Sequence, residues 1–389
     1  MPSSQRDLND NEPLPRLTTT ALAGIVIVLG VWLFVAKASQ RMPDFEVYWR
    51  AGTRAAAAEP IYRASDADYQ LKYFPAFAIV AIPLGLMPLD TAKATWFALS
   101  AAALLALFPL SLRLLHERRQ PAWLLIAVLL IGLGKYYAED LVLGQINTVV
   151  MLVAACAILA LNRGREALAG VLVAIAIVLK PYALILAPWL VARRRWPSIV
   201  ALAIGLLIAC VLPAGVYGVD GTLDLYRGWW HTVTSTTDGT LLHSDNVSLA
   251  SLWAKRLGIG SAAATLATVS SVALLLAAAL AFLCRRNVEQ PEVLEAGLLL
   301  AITPLISPQG WDYVLVLATI ALLYVANDFD RLSRAMQALT IAAIAAIGLT
   351  LYDLLGRHVI YALLDFSVIT VGMVALIATL VTLRMRKLA

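Results

Sequence analysis

Apolar runs recur along the whole chain, near residues 20–36, 93–115, 122–137, 147–162, 197–217, 261–284, 294–306, 311–326, 335–352 and 362–383. Runs of about 17–25 apolar residues mark membrane-crossing helices, and hydrocarbon tolerates only backbone that is hydrogen-bonded internally. Two more stretches are apolar but broken. Residues 74–88 are interrupted by Pro75, Pro83 and Pro88 and read as a broken or re-entrant helix. Residues 167–192 are interrupted by Lys180-Pro181 and read as two short helices meeting there, because proline breaks the helical ladder and lysine avoids lipid. The expectation is an all-α polytopic membrane protein of about 12 transmembrane helices. Composition agrees: 61% of residues are hydrophobic and 14% charged, against about 45–50% and about 25% in soluble domains.

The basic clusters orient the bundle. Arg113/Arg118/Arg119, Arg163/Arg165, Arg193/Arg194/Arg195, Arg285/Arg286, Arg331/Arg334 and Arg384/Arg386/Lys387 lie between apolar runs and are expected on the cytoplasmic side. With both termini inside, the alternation closes if 167–192 is a hairpin. Residues 1–18 are polar, carry Pro13 and Pro15, and read as a disordered cytoplasmic tail. No small-residue cleavage site follows the first run, which reads as a retained helix. Residues 19–389 then form one transmembrane domain.

The remaining polar segments fall on the opposite face: 37–73, 135–147, Lys180-Pro181-Tyr182, 218–260, 307–313 and 352–361. The loops at 37–73 and 218–260 are about 37 and 43 residues long, and long loops in compact proteins usually have a function. Chemistry gathered on one face suits an enzyme working at that surface. No internal repeat or paired broken helices mark the two halves, which weakens a transporter reading.

Asp44-Phe45-Glu46-Val47-Tyr48-Trp49-Arg50 opens the first of these loops. Carboxylates beside a membrane are usually kept for a task. Asp44 reads as a general base that deprotonates an acceptor hydroxyl, and equally as a helix start after Pro43; the two are compatible. On a helix, Asp44 and Glu46 point to different faces. Tyr48 and Tyr73 are candidates to contact substrate, although interfacial tyrosines also serve as an aromatic belt. Arg50 and Lys72 are outer-face cations suited to a phosphate or to lipid headgroups. Lys180 sits between apolar half-helices, where it either snorkels or faces the interior to neutralise a phosphate. Gln145 and Asn147 open a helix from the outer face, as binders of sugar hydroxyls or, for Asn147, as a cap. Trp311 and Asp312 complete the substrate-binding candidates. Glu139 and Asp140 read as simply solvated.

Other chemistry is not supported. His231, His243 and His358 lack metal-ligand spacing, and Cys156, Cys210 and Cys284 lie inside apolar runs. No phosphate-cradling glycine loop, Gly-x-Ser-x-Gly or Asp-x-Asp is present. Neither metal nor cofactor is expected. The net charge of +5 sits in topology clusters and does not point to nucleic acid.

The run Asp44-Phe45-x-Val47-Tyr48-Trp49-Arg50-Ala51-Gly52, with Pro60-Ile61-Tyr62, Lys72-Tyr73-x-Pro75-x-Phe77, Pro83-Leu84, Gly144-Gln145-x-Asn147 and Lys180-Pro181, resembles glycosyltransferase family 87. That family comprises polyprenyl-phosphate-dependent membrane mannosyl- and arabinofuranosyl-transferases and their relatives. The resemblance covers roughly residues 40–195, with an echo from Ser307-Pro308 to Trp311. It implies a GT-C bundle whose extracytoplasmic loops form the active site. It also implies inverting transfer of a sugar (mannose, another hexose or a pentose) from a polyprenyl-phosphate donor to a lipid or glycan acceptor. Asp44 holds the motif position of the base. The expected setting is a bacterial inner membrane, with the active site on its outer face. Family members often carry histidine after Ser-Pro-x-x-Trp; here Asp312 and Tyr313 stand there. The competing readings are a flippase for a polyprenyl-linked sugar and a non-catalytic assembly partner.

Overall fold

The computed structural model describes residues 28–236, 238–283 and 291–385. The expected polar tail at 1–18, the start of the first apolar run, and the basic residues Arg285, Arg286, Arg386 and Lys387 lie outside the described residues. The chain begins with α1 (Val28–Ala38), α2 (Pro43–Ala56), α3 (Pro75–Val80) and α4 (Ile82–Gly85). Then come α5 (Leu89–Leu114), α6 (Ala122–Leu143), α7 (Asn147–Asn162), α8 (Glu166–Leu179) and α9 (Leu186–Ala192). After these run α10 (Trp196–Val211), α11 (Ala214–Ser235), α12 (Leu249–Leu257), α13 (Ser261–Leu283) and α14 (Pro291–Ile306). The last are α15 (Thr319–Asn327), α16 (Arg334–Gly348), α17 (Tyr352–Leu355), α18 (Arg357–Asp365) and α19 (Val368–Met385). Every regular element among the described residues is helical.

The span count differs from the expected dozen. Among the described residues, α5, α6, α13 and α19 have the length and hydropathy of full spans, and α10 with α11 makes a fifth if the 86° bend between them lies within one span. Most other expected spans are apolar helices of 10–17 residues, including α1, α7, α8 and α16. Proline accounts for several of the breaks: Pro181 ends α8, Pro213 separates α10 from α11, and Pro83 lies in the short α4. The stretch expected as a loop at 218–260 is largely helical, through α11 and α12.

Burial sorts the helices. Every residue of α14 from Val293 to Leu305 is buried, as are most of α15 and the 3₁₀ segment Asp312–Ala318 before it. A helix apolar all round belongs at a bundle centre. By contrast α10 exposes Trp196, Val200, Ile204, Leu207 and Ile208, and α13 exposes Val269, Leu276 and Leu280, a surface suited to lipid. Several basic residues read above as topology signals also carry ion pairs. Arg193 pairs with Glu292, Arg195 with Glu166 at 2.8 Å and with Glu292 at 3.0 Å, and the fully buried Arg384 with Glu295 at 3.4 Å. This network lies at the opposite end of the α8–α9 hairpin from Lys180.

The amphipathic α2 is clamped by glycines. A Cβ on Gly52 would lie 2.3 Å from the Ala81 carbonyl oxygen, and one on Gly85 would lie 2.3 Å from the Thr53 nitrogen. The backbones of α2 and the α3–α4 turn therefore touch, and Thr53 Oγ1 donates to the Gly85 carbonyl at 3.0 Å. Both neighbouring atoms are backbone and cannot swing aside. Gly52→Ala should destabilise the detergent-solubilised protein by about 1–3 kcal/mol, the usual penalty for overpacking. Its thermal unfolding midpoint is the measurement, and an unchanged midpoint would refute the close approach.

Candidate active site

Three interruptions of helical structure meet at one point. The first is the end of α6. Gly144, at φ 73°, closes a Schellman turn: its N–H donates to the Leu141 carbonyl at 3.3 Å and that of Gln145 donates to the Asp140 carbonyl at 2.8 Å. A Cβ at Gly144 would fall 2.6 Å from Phe45 Cβ. Glycine is thus required both by the backbone sign and by the approach of α2. The turn delivers Gln145 and Asn147 side by side at the start of α7.

The second interruption is Lys180. Its backbone is extended (φ −156°, ψ 123°) between α8 and the 3₁₀ turn Pro181–Ile185, and it is 5% exposed. Its Nζ donates to Asn147 Oδ1 at 2.7 Å and to Gln145 Oε1 at 3.3 Å. Asn147 is turned this way by Asp140, whose carboxylate accepts from Asn147 Nδ2 at 2.8 Å and from Thr148 Oγ1 at 2.6 Å. The Asp140 carboxylate also accepts the Thr148 backbone N–H at 3.1 Å, satisfying a free donor at the start of α7. Asn147 itself makes no cap bond. The rings of Tyr182, Tyr73 and Tyr313 surround the ammonium at 5.0, 5.7 and 5.7 Å. No carboxylate among the described residues lies within ion-pair distance of Lys180; Asp140 and Asp44 are the negative charges that face it.

The third interruption is the start of α2. Met42, in the left-handed region at φ 49°, donates its N–H to the Val142 carbonyl at 3.2 Å, which pins the helix start to the end of α6. Pro43 takes the first helical position, and Asp44 follows without capping the helix. Gln145, Lys180 and Lys72 face the Asp44 carboxylate. Burial raises its pKa from the ordinary 3.8, and these three neighbours offset this only in part. Burial also lowers the pKa of Lys72, against the opposing pull of Asp44 and Asp68. Tyr48, one turn after Asp44, shares its face. Its hydroxyl lies 2.9 Å from that of Tyr73 and 3.3 Å from Gln145 Oε1. Glu46 points elsewhere and pairs with Lys93 at 2.7 Å.

Asp44, Tyr48, Lys72, Tyr73, Gln145, Asn147 and Lys180 therefore share one site. Arg50 does not join them: six residues beyond Asp44, it is rotated by about 240° around the helix and faces Asp66, the partner of Arg54. Trp311 and Asp312 lie beyond Tyr313, whose ring is 6.3 Å from that of Trp311 and nearly parallel to it at 15°. Asp140, Tyr182 and Tyr313 were not singled out from the sequence. The spacing Asp140-x-x-x-Gly144-Gln145-x-Asn147-Thr148 held the signal for Asp140, because a helix-ending glycine folds the next helix start back onto it. Among the described residues no three His, Cys, Asp or Glu side chains are placed to hold a metal ion.

The arrangement offers a carboxylate of raised proton affinity facing a caged ammonium, with phenols and amides hydrogen-bonded to one another and to the ammonium. Because burial raises the pKa of Asp44, its ionised form opposes folding above that shifted value, and the penalty disappears as pH falls through it. Asp44→Asn should therefore be no less stable than the wild type at pH 7. Thermal unfolding of the two proteins at pH 7 and pH 4 tests this; a less stable mutant at pH 7 would contradict the assigned shift.

Residues 71–308, more than half of the chain, match the model of glycosyltransferase family 87. The matched stretch contains Lys72, Tyr73, Gln145, Asn147 and Lys180, while Asp44 precedes it and Trp311 and Asp312 follow it. No curated protein sequence matches the chain significantly. Among solved structures, ArnT from Cupriavidus metallidurans in the apo state is similar at a TM-score of 0.38 and 14% identity, over 95% of this chain and 78% of that one.

Proposed function

The chain belongs to glycosyltransferase family 87 and is a membrane glycosyltransferase, and we propose that it moves a sugar from a polyprenyl-phosphate donor to a hydroxyl of a lipid or glycan acceptor, with Asp44 as the base. The observation that carries this reading is that Asp44 and the caged Lys180 face each other beside Gln145, whose Oε1 accepts from Lys180 Nζ at 3.3 Å. One group takes a proton and the other receives negative charge. Reactions that break a sugar–phosphate bond need both.

In this mechanism the donor lipid lies in the bilayer and its phosphate meets Lys180 and Lys72. Asp44 accepts the proton of the acceptor hydroxyl as that oxygen bonds to the anomeric carbon. The bond from that carbon to the phosphate oxygen breaks on the opposite face, and the electron pair leaves with the phosphate. The configuration at the anomeric carbon inverts. Gln145 and Asn147 hold Lys180 in place, Asp140 acts through Asn147, and Tyr48, bonded to Tyr73, steadies Gln145. Fixed cations at the leaving phosphate stabilise the charge that develops there without reorganisation during the reaction. Lysines supply that charge, so no metal is required. The transferred sugar is mannose, another hexose or a pentose, and the site faces the outside of a bacterial inner membrane.

Transfer from a polyprenyl-phosphate sugar to membrane lipid extract tests the reading. Asp44→Asn should lower kcat by about 10²–10⁴, the usual contribution of a general base, with donor binding retained. The wild-type rate should fall as Asp44 is protonated, with the acid limb above pH 3.8. Lys180→Met should lower kcat/KM by about 10²–10³ and weaken donor binding. An Asp44→Asn enzyme that keeps full activity would remove Asp44 from the mechanism.

A further inference from the structure

One helix lies against the site without entering it. Gly218, at φ 67°, interrupts α11, and a regular helix runs from there to Ser235. Its side chains fall into three sectors around the axis. Thr222, Leu225 and Thr232 are buried. Val219, Leu223 and Trp230 form an apolar stripe and are 71%, 49% and 63% exposed. Asp220, Asp224, Arg227 and His231 run beside the stripe and are exposed as well, with Asp224 and Arg227 paired at 2.7 Å. A helix that packs on a core from water has an apolar face inside and a polar face outside. A second apolar stripe on the outside, flanked by charge and ending in a tryptophan, is the pattern of a helix lying in a membrane surface.

Two further observations put lipid against this stripe. It continues the lipid-suited surface of α10, because Val211, Leu212 and Val216 are also exposed through the 86° bend at Pro213. A helix at nearly a right angle to a span lies along the membrane plane. The second observation is depth. α8 and α10 pack side by side in the same direction: a Cβ on Gly170 would lie 2.1 Å from the Ser198 carbonyl oxygen, and one on Gly205 would lie 2.7 Å from Ala174 Cβ. Continued along both helices, this register sets Lys180 level with the end of α10, where the chain turns into α11. α10 has 16 residues, about 24 Å of helix against about 30 Å of hydrocarbon. A short span is accommodated by local thinning of the bilayer, which brings the headgroup layer to its end.

The opposite side of α11 holds the segment that carries Lys72 and Tyr73. Trp229 Nε1 donates to the Lys72 carbonyl at 3.1 Å, and its ring lies 4.7 Å from that of Phe74. Thr232 Oγ1 donates to Gln70 Oε1 at 3.3 Å. Tyr62 packs against Gly228, where a Cβ would lie 3.3 Å from Tyr62 Cβ, and its hydroxyl donates to the Tyr73 carbonyl at 2.7 Å. We propose that α11 lies in the headgroup layer of the bilayer with Val219, Leu223 and Trp230 in the lipid, and that Trp229 is a positioning residue that holds Lys72 at the depth of a lipid-linked phosphate. The role of Lys72 rests on the polyprenyl-phosphate reading; the placement of α11 stands without it.

Full-length protein in nanodiscs of phosphatidylcholine and phosphatidylglycerol tests both parts. With Cys156, Cys210 and Cys284 replaced by alanine, a nitroxide is attached in turn at Leu223→Cys, Trp230→Cys, Asp224→Cys and His231→Cys, all exposed positions of α11. Labels at 223 and 230 should collide with oxygen, which concentrates in lipid, severalfold more often than with a water-soluble nickel chelate. Labels at 224 and 231 should show the reverse. Stripe labels that favour the chelate, or that meet neither reagent because a second copy of the chain covers them, overturn the placement. Trp229→Phe keeps a ring against Phe74 and removes the N–H. It should weaken undecaprenyl phosphate binding about fivefold, the scale of one hydrogen bond. That loss should vanish in a Lys72→Met background, as it does for residues that act as a unit. Unchanged binding, or a loss that persists without Lys72, overturns the positioning role. If wild type binds no undecaprenyl phosphate, the donor reading and the role of Lys72 fail together, while the labels still decide where α11 lies.

Discussion

The site depends on the burial of a single ammonium group. Lys180 sits where α8 has ended and its backbone is extended, surrounded by apolar helices, with no carboxylate among the described residues in ion-pair contact. A buried charge of this kind survives only if its environment solvates it. Here the solvation comes in layers: amide oxygens of Asn147 and Gln145 against the nitrogen, three tyrosine rings around it, and Asp140 behind Asn147. Direct contact with Asp140 would neutralise the lysine and leave little field for a substrate. Interposing Asn147 keeps the charge available to an anion.

That arrangement constrains the surrounding backbone. Asn147 and Gln145 face Lys180 only because Gly144 turns the chain sharply out of α6. The same turn has room for α2 only because Gly144 lacks a side chain toward Phe45. Met42 and Trp96 complete the joint, the first donating to Val142 and the second to the Gly144 carbonyl at 2.9 Å. The base and the cation are thus carried on elements whose backbones touch. Such sites hold their geometry better than sites on free loops.

The polar groups follow a division of labour. Buried and half-buried ion pairs of Arg193, Arg195 and Arg384 with Glu166, Glu292 and Glu295 tie helices together, three cations against three carboxylates. Lys180, by contrast, has no carboxylate in ion-pair contact among the described residues, and Asp140 and Asp44 only face it. Charges paired among themselves stabilise a fold, and a charge held by neutral oxygens remains available to a ligand.

The sequence by itself determined that the chain is helical and apolar. Hydropathy reports the solvent each helix meets, and proline reports where the ladder breaks, so the interruption at Lys180-Pro181 and the start of α7 after Gly144 were legible. The separation of Asp44 and Glu46 onto different helical faces was legible, because the period of a helix is local. Tertiary structure alone decided which faces meet. Tyr48 and Gln145 are 97 residues apart, and nothing in their local patterns measures the gap between them. For the same reason Arg50 looked like a site residue beside Asp44 yet turned away from it, and Asp140 looked solvated yet is fully buried behind Asn147. The helix count diverged on similar grounds: hydropathy records apolar length, whereas bends such as the 86° turn between α10 and α11 depend on packing. Periodicity is a property of one element, but a site is made by distances between elements, and those are set only when the bundle packs.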